Sequence, residues 1–146
     1  MVRLVTNTDI QLLSELFNAY RVFYGMTSDN NGAKAFLSAR IKNDESVIYV
    51  SESTDSILTG FAQLYPLFSS TRMKKLWLLN DLFVHPDFRG QGYSVALIDC
   101  AKELAITTQS AGLMLETSKT NIIGNNLYLK TGFELDENHN YYSWTE

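Results

Sequence analysis

Arg89-Gly90-Gln91-Gly92-Tyr93-Ser94 is the stretch of this chain whose residue types and spacing point most directly to chemistry. Two glycines one residue apart let the backbone curl until successive N–H groups converge. A helix that begins there adds unpaired donors and the positive end of its dipole. Such a turn is an anion site, a pyrophosphate is its natural guest, and Arg89 adds a positive charge. Upstream, Leu76 to Val84 is an apolar run of strand composition stopped by His85-Pro86; downstream, Leu97, Ile98, Ala101, Leu104 and Ala105 recur at helical spacing. The unit therefore reads strand, Gly-rich turn, helix. Taken alone, Gly90-x-Gly92 leaves a phosphate site and a plain tight turn both open.

The other reactive side chains offer less. Cys100 is the single cysteine; mid-helix beside Leu97 and Ala101, it reads as a small packed residue rather than a thiol tuned for catalysis. It cannot form an internal disulfide, which agrees with a reducing compartment. His85 and His139 lack neighbours at ligand spacing, so no metal is expected. The net charge of −4 argues against nucleic acid, which demands clustered Lys and Arg, and Arg72-Met73-Lys74-Lys75 reads as a solvated hairpin loop. The first residues meet polar side chains too soon for a signal peptide, and no apolar run approaches the ~20 residues of a membrane span. No membrane partner and a cytoplasmic location are expected. At 146 residues the chain suits one domain, 1–146.

The elements that must position the loop follow from periodicity. Arg3-Leu4-Val5 is a short first strand. Thr8, with Gln11 three residues on, reads as the N-cap of a helix carrying Ile10, Leu13, Leu16, Phe17 and Tyr20. A second helix gathers Phe36, Leu37, Arg40 and Ile41 before Asn43-Asp44. Between the two, Tyr20, Phe23, Tyr24 and Met26 suit either core packing or the lining of an acceptor pocket. Val47–Val50 and Leu58–Leu67 form a hairpin, with Gly60 marking close backbone approach and Pro66 a bulge or an edge position. After the third helix, Leu113-Met114-Leu115 is a brief strand parallel to Leu76–Val84. A fourth helix over about 121–131 precedes strand candidates at Phe133–Leu135 and Tyr141–Trp144. The order β-α-α-β-β-β-α-β-α-β-β is α/β (α+β): a mixed, mostly antiparallel sheet of six to seven strands flanked by four helices.

Two linked motifs within this order carry a resemblance. Arg89-Gly90-Gln91-Gly92-Tyr93-Ser94 resembles the R-x-x-G-x-G/A loop of the GNAT superfamily of N-acetyltransferases, and Asp81-Leu82-Phe83-Val84-His85-Pro86 resembles the end of that family's fourth strand. Asn121, Gly124, Leu127-Tyr128, Lys130 and Gly132-Phe133 then stand where the family has N-x-x-A-x-x-L-Y-x-K-x-G-F. The resemblance implies a sheet splayed at its centre and acetyl-CoA as co-substrate. It also implies a primary amine of a small molecule or peptide as acceptor, and a C-terminal aromatic strand that could serve a homodimer. By it, the backbone of Leu82, Phe83 and Val84 pairs with pantetheine, the loop from Arg89 to Ser94 holds the pyrophosphate, and Asn121 contacts the cofactor or merely caps its helix. Tyr128 becomes the acid for the leaving sulfur, with packing between helix and sheet as the plainer role.

Three positions depart from the family pattern: Ser94 for a smaller residue, Gly124 for an alanine, and Asn80 where several polyamine-acetylating members carry Glu. Asn80 cannot be a base, which leaves Asp81, a more distant carboxylate acting through water, or solvent. Two rival readings remain. A dinucleotide-binding oxidoreductase is disfavoured by Val95 at the third glycine position and by the short chain after Glu116. A degenerate domain that binds coenzyme A as a sensor or scaffold keeps Tyr128 without using it.

Overall fold

Five strands form one sheet in the order β1-β2-β3-β4-β5: β1 (Val2–Leu4), β2 (Val47–Glu52), β3 (Leu58–Ser69), β4 (Lys74–Val84) and β5 (Leu113–Met114). The computed structural model describes Met1–Glu146. Its contacts gather into two units, Met1–Glu116 and Thr117–Glu146. The first holds the whole sheet together with α1 (Ile10–Phe23), α2 (Asn30–Lys42) and α3 (Tyr93–Thr107). Neighbours from β1 to β4 are antiparallel, and β5 runs parallel to β4 with rungs at Trp77–Leu113 and Leu78–Met114. From Leu79 to Val84, β4 continues past its last rung with β5. Its backbone edge on that side is free of the ladder.

One face of the sheet is covered by α1 and α2, whose Leu13, Leu16, Phe17, Ala33 and Leu37 pack with Ile48, Val50, Phe61 and Phe83. The other face takes α3 through Leu97, Ile98, Ala101 and Ala105, and there Trp77 Nε1 donates to Thr108 Oγ1 over 2.9 Å. A β-bulge in β4 decides which residues see which face. Gln63 pairs with Asp81 and Leu64 with Leu79, so Asn80 is the extra residue. Trp77 and Leu79 consequently face α3, whereas Asp81 and Phe83 face α1.

Several sequence expectations shift. Pro66 pairs in register with Trp77 rather than forming a bulge; β2 stops opposite Leu64, so beyond it β3 has a free side where a missing N–H costs nothing. The start of α1 is set by Asp9, not by Thr8 and Gln11. The Thr6 N–H and hydroxyl donate to Asp9 Oδ2 over 2.7 and 2.8 Å, closing a capping box on a 3₁₀ turn, Asn7–Asp9, that leads into α1 and takes Thr8 into its interior. Arg3 clamps Asp9 at 2.7 Å and reaches Glu52 with its other nitrogen, tying β1 and β2 to that turn.

The expected six to seven strands become five. Neither Phe133–Leu135 nor Tyr141–Trp144 is a strand. Between them Asp136 closes a local turn, accepting from the N–H groups of Asn138 and His139 over 2.9 and 3.2 Å, and neither segment pairs with a neighbouring strand. Tyr141 and Trp144 are left 70% and 84% exposed. The second unit's one helix is α4 (Ile122–Lys130).

Candidate active site

β4 ends at Val84, a 3₁₀ turn over Pro86–Phe88 follows, and the chain enters α3 through Arg89–Gly92. Gly90 and Gly92 sit at φ 75° and 85°. A Cβ on either would meet nothing within 4 Å, so conformation and not crowding requires glycine, and the space over the turn stays open. Gly92 is the N-cap of α3 and has no side chain to cap with, and no acidic residue occupies the first turn. The N–H groups of Tyr93, Ser94 and Val95 therefore point out of the helix without an intrahelical acceptor. These donors, beside Gln91 and with no competing carboxylate, suit a pyrophosphate.

Immediately before the turn lies the free edge of Leu82, Phe83 and Val84. Gly60 pairs with Val84, and a Cβ there would stand 2.4 Å from the Phe83 carbonyl oxygen. Only glycine lets β3 approach this closely. The side chains of Phe83 and Val84 are buried, which leaves their backbone as the part a ligand could use.

Asp81 lies on the α1 side of β4 and is 4% exposed. Gln63 Nε2 donates to its Oδ2 over 2.8 Å, Asn80 Nδ2 to its Oδ1 over 3.0 Å, and the Tyr20 hydroxyl bonds to it as well. Gln63 is itself fixed, because its Oε1 accepts from the Ser46 hydroxyl at 2.8 Å. Burial pushes the Asp81 carboxyl up from the usual range, and these bonds pull partway back. Tyr65, desolvated and near the same carboxylate, is pushed up to about 12. Sequence reasoning missed Gln63 and Ser46; the signal was a glutamine inside an otherwise apolar strand.

The aromatic residues left open between core and pocket are a wall with one exposed side. Tyr20 joins Tyr24 at 5.0 Å and Phe83 at 6.0 Å between ring centroids, and Phe23 joins Tyr24 at 5.2 Å. Phe23, Tyr24 and Met26 are 59%, 51% and 55% exposed, too open for core residues. The Arg89 side chain turns toward this wall. Its Nε donates to the Val84 carbonyl over 3.1 Å, and its guanidinium carbon lies 5.5 Å from the Phe23 ring and 5.9 Å from the Phe83 ring.

Tyr128 and Asn121 belong to the second unit. Tyr128 is half-buried on α4, its ring meeting Phe133 edge-on at 5.8 Å. Asn121 caps α4: its Oδ1 accepts from the Gly124 N–H over 3.1 Å while its Nδ2 donates to Thr117 Oγ1 over 3.0 Å. A Cβ at residue 124 would stand 2.4 Å from that Nδ2, so glycine in place of alanine makes room for the cap. Cys100 is only half-buried, and its thiol is pushed up by desolvation and by Asp99 and Glu103, the reverse of nucleophile activation. No three His, Cys, Asp or Glu side chains gather into a group that could hold a metal.

A mixed sheet whose central strand frees one edge and ends in an uncapped, glycine-bent turn belongs to the acyl-CoA N-acyltransferase class of folds. Residues 44–135 match the acetyltransferase (GNAT) domain, and the chain is a member of that family. It is 42% identical over 135 residues to YhfO of Bacillus subtilis (strain 168), an uncharacterized N-acetyltransferase, covering 92% of this chain and 90% of YhfO. The crystal structure of a probable acetyltransferase superposes with a TM-score of 0.95 at 35% identity, covering 100% of this chain and 97% of that one. AAC(6')-Iy, solved with the bisubstrate analog CoA-S-monomethyl-acetylneamine, shares the fold with a TM-score of 0.82 at 19% identity, covering 99% and 97%.

Proposed function

We propose that residues 1–146 act as one catalytic domain that moves the acetyl group of acetyl-coenzyme A to a primary amine by direct attack. The observation that carries this reading is the continuity of the free β4 edge at Leu82–Val84 with the uncapped turn at Gly90–Ser94. An amide-bearing arm could pair along the edge while its pyrophosphate meets the turn. The coenzyme A-linked analog bound to AAC(6')-Iy supports the choice of co-substrate. Acetyl-coenzyme A supplies the activated thioester. In the reaction a C–N bond forms to the amine, the C–S bond breaks, the thiolate takes a proton from Tyr128, and the nitrogen gives one to water.

In this reading Gln91, Gly92, Tyr93 and Ser94 act through their backbone N–H groups, and the Leu82–Phe83–Val84 segment through the backbone groups of Leu82 and Val84, which face the free edge while those of Phe83 face β3. The Tyr128 phenol suits its role because its ordinary pKa of about 10 lies near that of an alkyl thiol. Asn121 serves the structure as a cap rather than the cofactor as a ligand. Asp81, sealed and saturated, holds geometry, and the amine's proton leaves through water. A cytoplasmic location fits the co-substrate.

One observation favours a second reading, in which the domain binds coenzyme A without turnover: Asn80 offers no acid, and Asp81 is out of reach. Calorimetry with acetyl-coenzyme A, followed by thiol release with a panel of amines, separates the two. Wild type should bind and turn over, and Gly92→Glu should keep the sheet folded yet lose binding, because a side chain at φ 85° strains the turn and its carboxylate opposes the pyrophosphate. Equal affinity in that variant would overturn the turn's assignment.

A further inference from the structure

We propose that the tip of the β3–β4 hairpin and the segment Glu134–Glu146 are the two halves of one interface, joined between two copies of this chain so that each copy offers its hairpin to the other's segment. Such an assembly is independent of the acetyltransferase reading and of the residues assigned to it.

The hairpin is the first ground. β2 ends opposite Leu64, so from Tyr65 to Ser69 β3 has β4 on one side and no strand on the other. On this projecting ribbon Leu67, Phe68 and Met73 are exposed, Phe68 to 76% and Met73 to 89%. A single exposed apolar residue is ordinary, but three at one tip form a surface that gains by being covered. Between Tyr65 and Leu78 the only charged residues are Arg72, Lys74 and Lys75. Lys75 lies over the Trp77 ring at 5.0 Å, and Arg72 meets the Ala111 carbonyl over 3.4 Å. Arg72 and Lys74 are exposed, and neither has an ion-pair partner in its own chain.

The segment after Phe133 has the opposite charge and the same bareness. It holds four of the 16 acidic residues and none of the 12 Lys and Arg, which leaves 12 acids against 12 bases in residues 1–133. This short segment therefore carries the whole net charge of −4. Asp136 is engaged with His139, whereas Glu134, Glu137 and Glu146 are exposed and unpaired. Leu135, Tyr142 and Trp144 are exposed as well.

A basic tip and an acidic segment, each with bare apolar side chains, complement one another twice over. The apolar area supplies affinity on being buried, and the charges select the partner and fix its orientation. Because every copy carries both patches, a two-fold pair uses each of them once and closes on itself.

Charge reversal in the full chain tests the pairing. Arg72→Glu with Lys74→Glu makes both patches acidic; Glu134→Lys with Glu137→Lys makes both basic. Sedimentation equilibrium at micromolar concentration should find wild type dimeric. Each doubly substituted chain, once a thermal melt shows it folded, should dissociate at least about 10-fold more readily, since like charges now face each other. Mixing the two variants is the decisive arm. In a mixed pair the acidic tip meets a basic segment and the basic tip an acidic one, so a dimer with one of each should form at near wild-type affinity. Salt at about 1 M, where the screening length is about 3 Å, should weaken the wild-type dimer.

A monomeric wild type overturns the inference, and so does a dimer that both reversals leave intact. Folded variants that stay monomeric when mixed, while the chain with all four substitutions regains wild-type behaviour, would place each segment on its own hairpin and overturn it. An assembly that grows past two copies with concentration is a head-to-tail chain rather than a closed pair, and counts against it. A monomeric wild type that sediments with vesicles of phosphatidylserine and phosphatidylcholine, but not with phosphatidylcholine alone, would give the basic tip to an anionic membrane surface instead.

Discussion

Gln63 faces Asp81 across the β3–β4 ladder, and its Nε2 donates to Asp81 Oδ2 over 2.8 Å while Ser46 locks its other end. A carboxylate held in this way is a poor partner for an incoming ammonium ion. Asp81→Asn should therefore leave the shape of the pH profile intact: kcat/KM for an alkylamine climbs toward the amine's own pKa, near 10.4 for a lysine-like amine, in both proteins. Side-by-side profiles decide it. A low-pH inflection present in wild type and absent from Asp81→Asn would make Asp81 the base.

The two buried aspartates of the first unit should push stability in opposite directions as pH changes. Arg3 holds the Asp9 carboxyl well below the usual range, so its contribution is present above the unfolded value near 3.9 and is lost as pH falls. Asp9→Asn should cost about 1–3 kcal/mol at pH 7, and the difference from wild type should shrink below about pH 4. Asp81 is raised instead, so its contribution is full below that unfolded value and is lost as pH climbs through its folded one. The stability of Asp81→Asn relative to wild type should rise from pH 4 to 7. Urea melts of both variants at several pH values test the two signs.

Gly60→Ala places a methyl 2.4 Å from the Phe83 carbonyl oxygen and 3.1 Å from Val84 Cα, and backbone cannot swing aside as a side chain can. The strands must separate, at a cost of roughly 1–3 kcal/mol. The disturbance displaces Phe83 and Val84, whose opposite side is the free edge of β4, so coenzyme A affinity should drop with stability. Denaturation and calorimetry on one preparation check both.

Alanine in the first turn of a helix normally gains up to about 1 kcal/mol over glycine. At Gly124 the gain should vanish, since the new methyl displaces the Asn121 cap, itself worth about 1 kcal/mol. Amide exchange along α4 should be no slower in Gly124→Ala than in wild type. Clear protection would mean the cap is dispensable.

Tyr128→Phe keeps the ring that meets Phe133 and removes only the hydroxyl. Turnover should fall by roughly 10²–10⁴-fold, the usual range for general acid catalysis, while coenzyme A affinity stays unchanged. Steady-state rates with a saturating amine, set beside calorimetry, check this. Unaltered turnover under conditions where chemistry limits the rate would leave Tyr128 as a packing residue.

Most of the sheet was legible in the sequence because its signals are local. Val47–Val50 and Leu58–Leu67 announce themselves by composition, and the parallel placement of Leu113–Met114 follows from the handedness of a strand–helix–strand crossover. The glycine pair was equally plain, since both residues do adopt the left-handed region. What escaped were choices made between distant residues. The Thr6–Asp9 turn ahead of α1 is held by Arg3 from β1, and Gln63 becomes intelligible only opposite Asp81. The segments around Phe133 and Tyr141 have strand composition, but a strand also needs a neighbour, and neither segment is paired in the sheet. Arg89 is the sharpest case at the site: its position predicted a charge at the turn, whereas its side chain runs back along Val84 toward Phe23.

Asn80 is the one residue of β4 with no counterpart across the ladder. A chain shortened by it would keep every other pairing of the hairpin, since Leu79 would still meet Leu64 and Asp81 would still meet Gln63. Its side chain has no cross-strand neighbour to pack on, and its one bond is the Nδ2 donation to Asp81, so a change there acts first on that buried carboxyl. The extra residue thus ties the outer edge of the bulge to the one buried carboxyl of β4, and the hairpin's change of face and the setting of Asp81 depend on the same position.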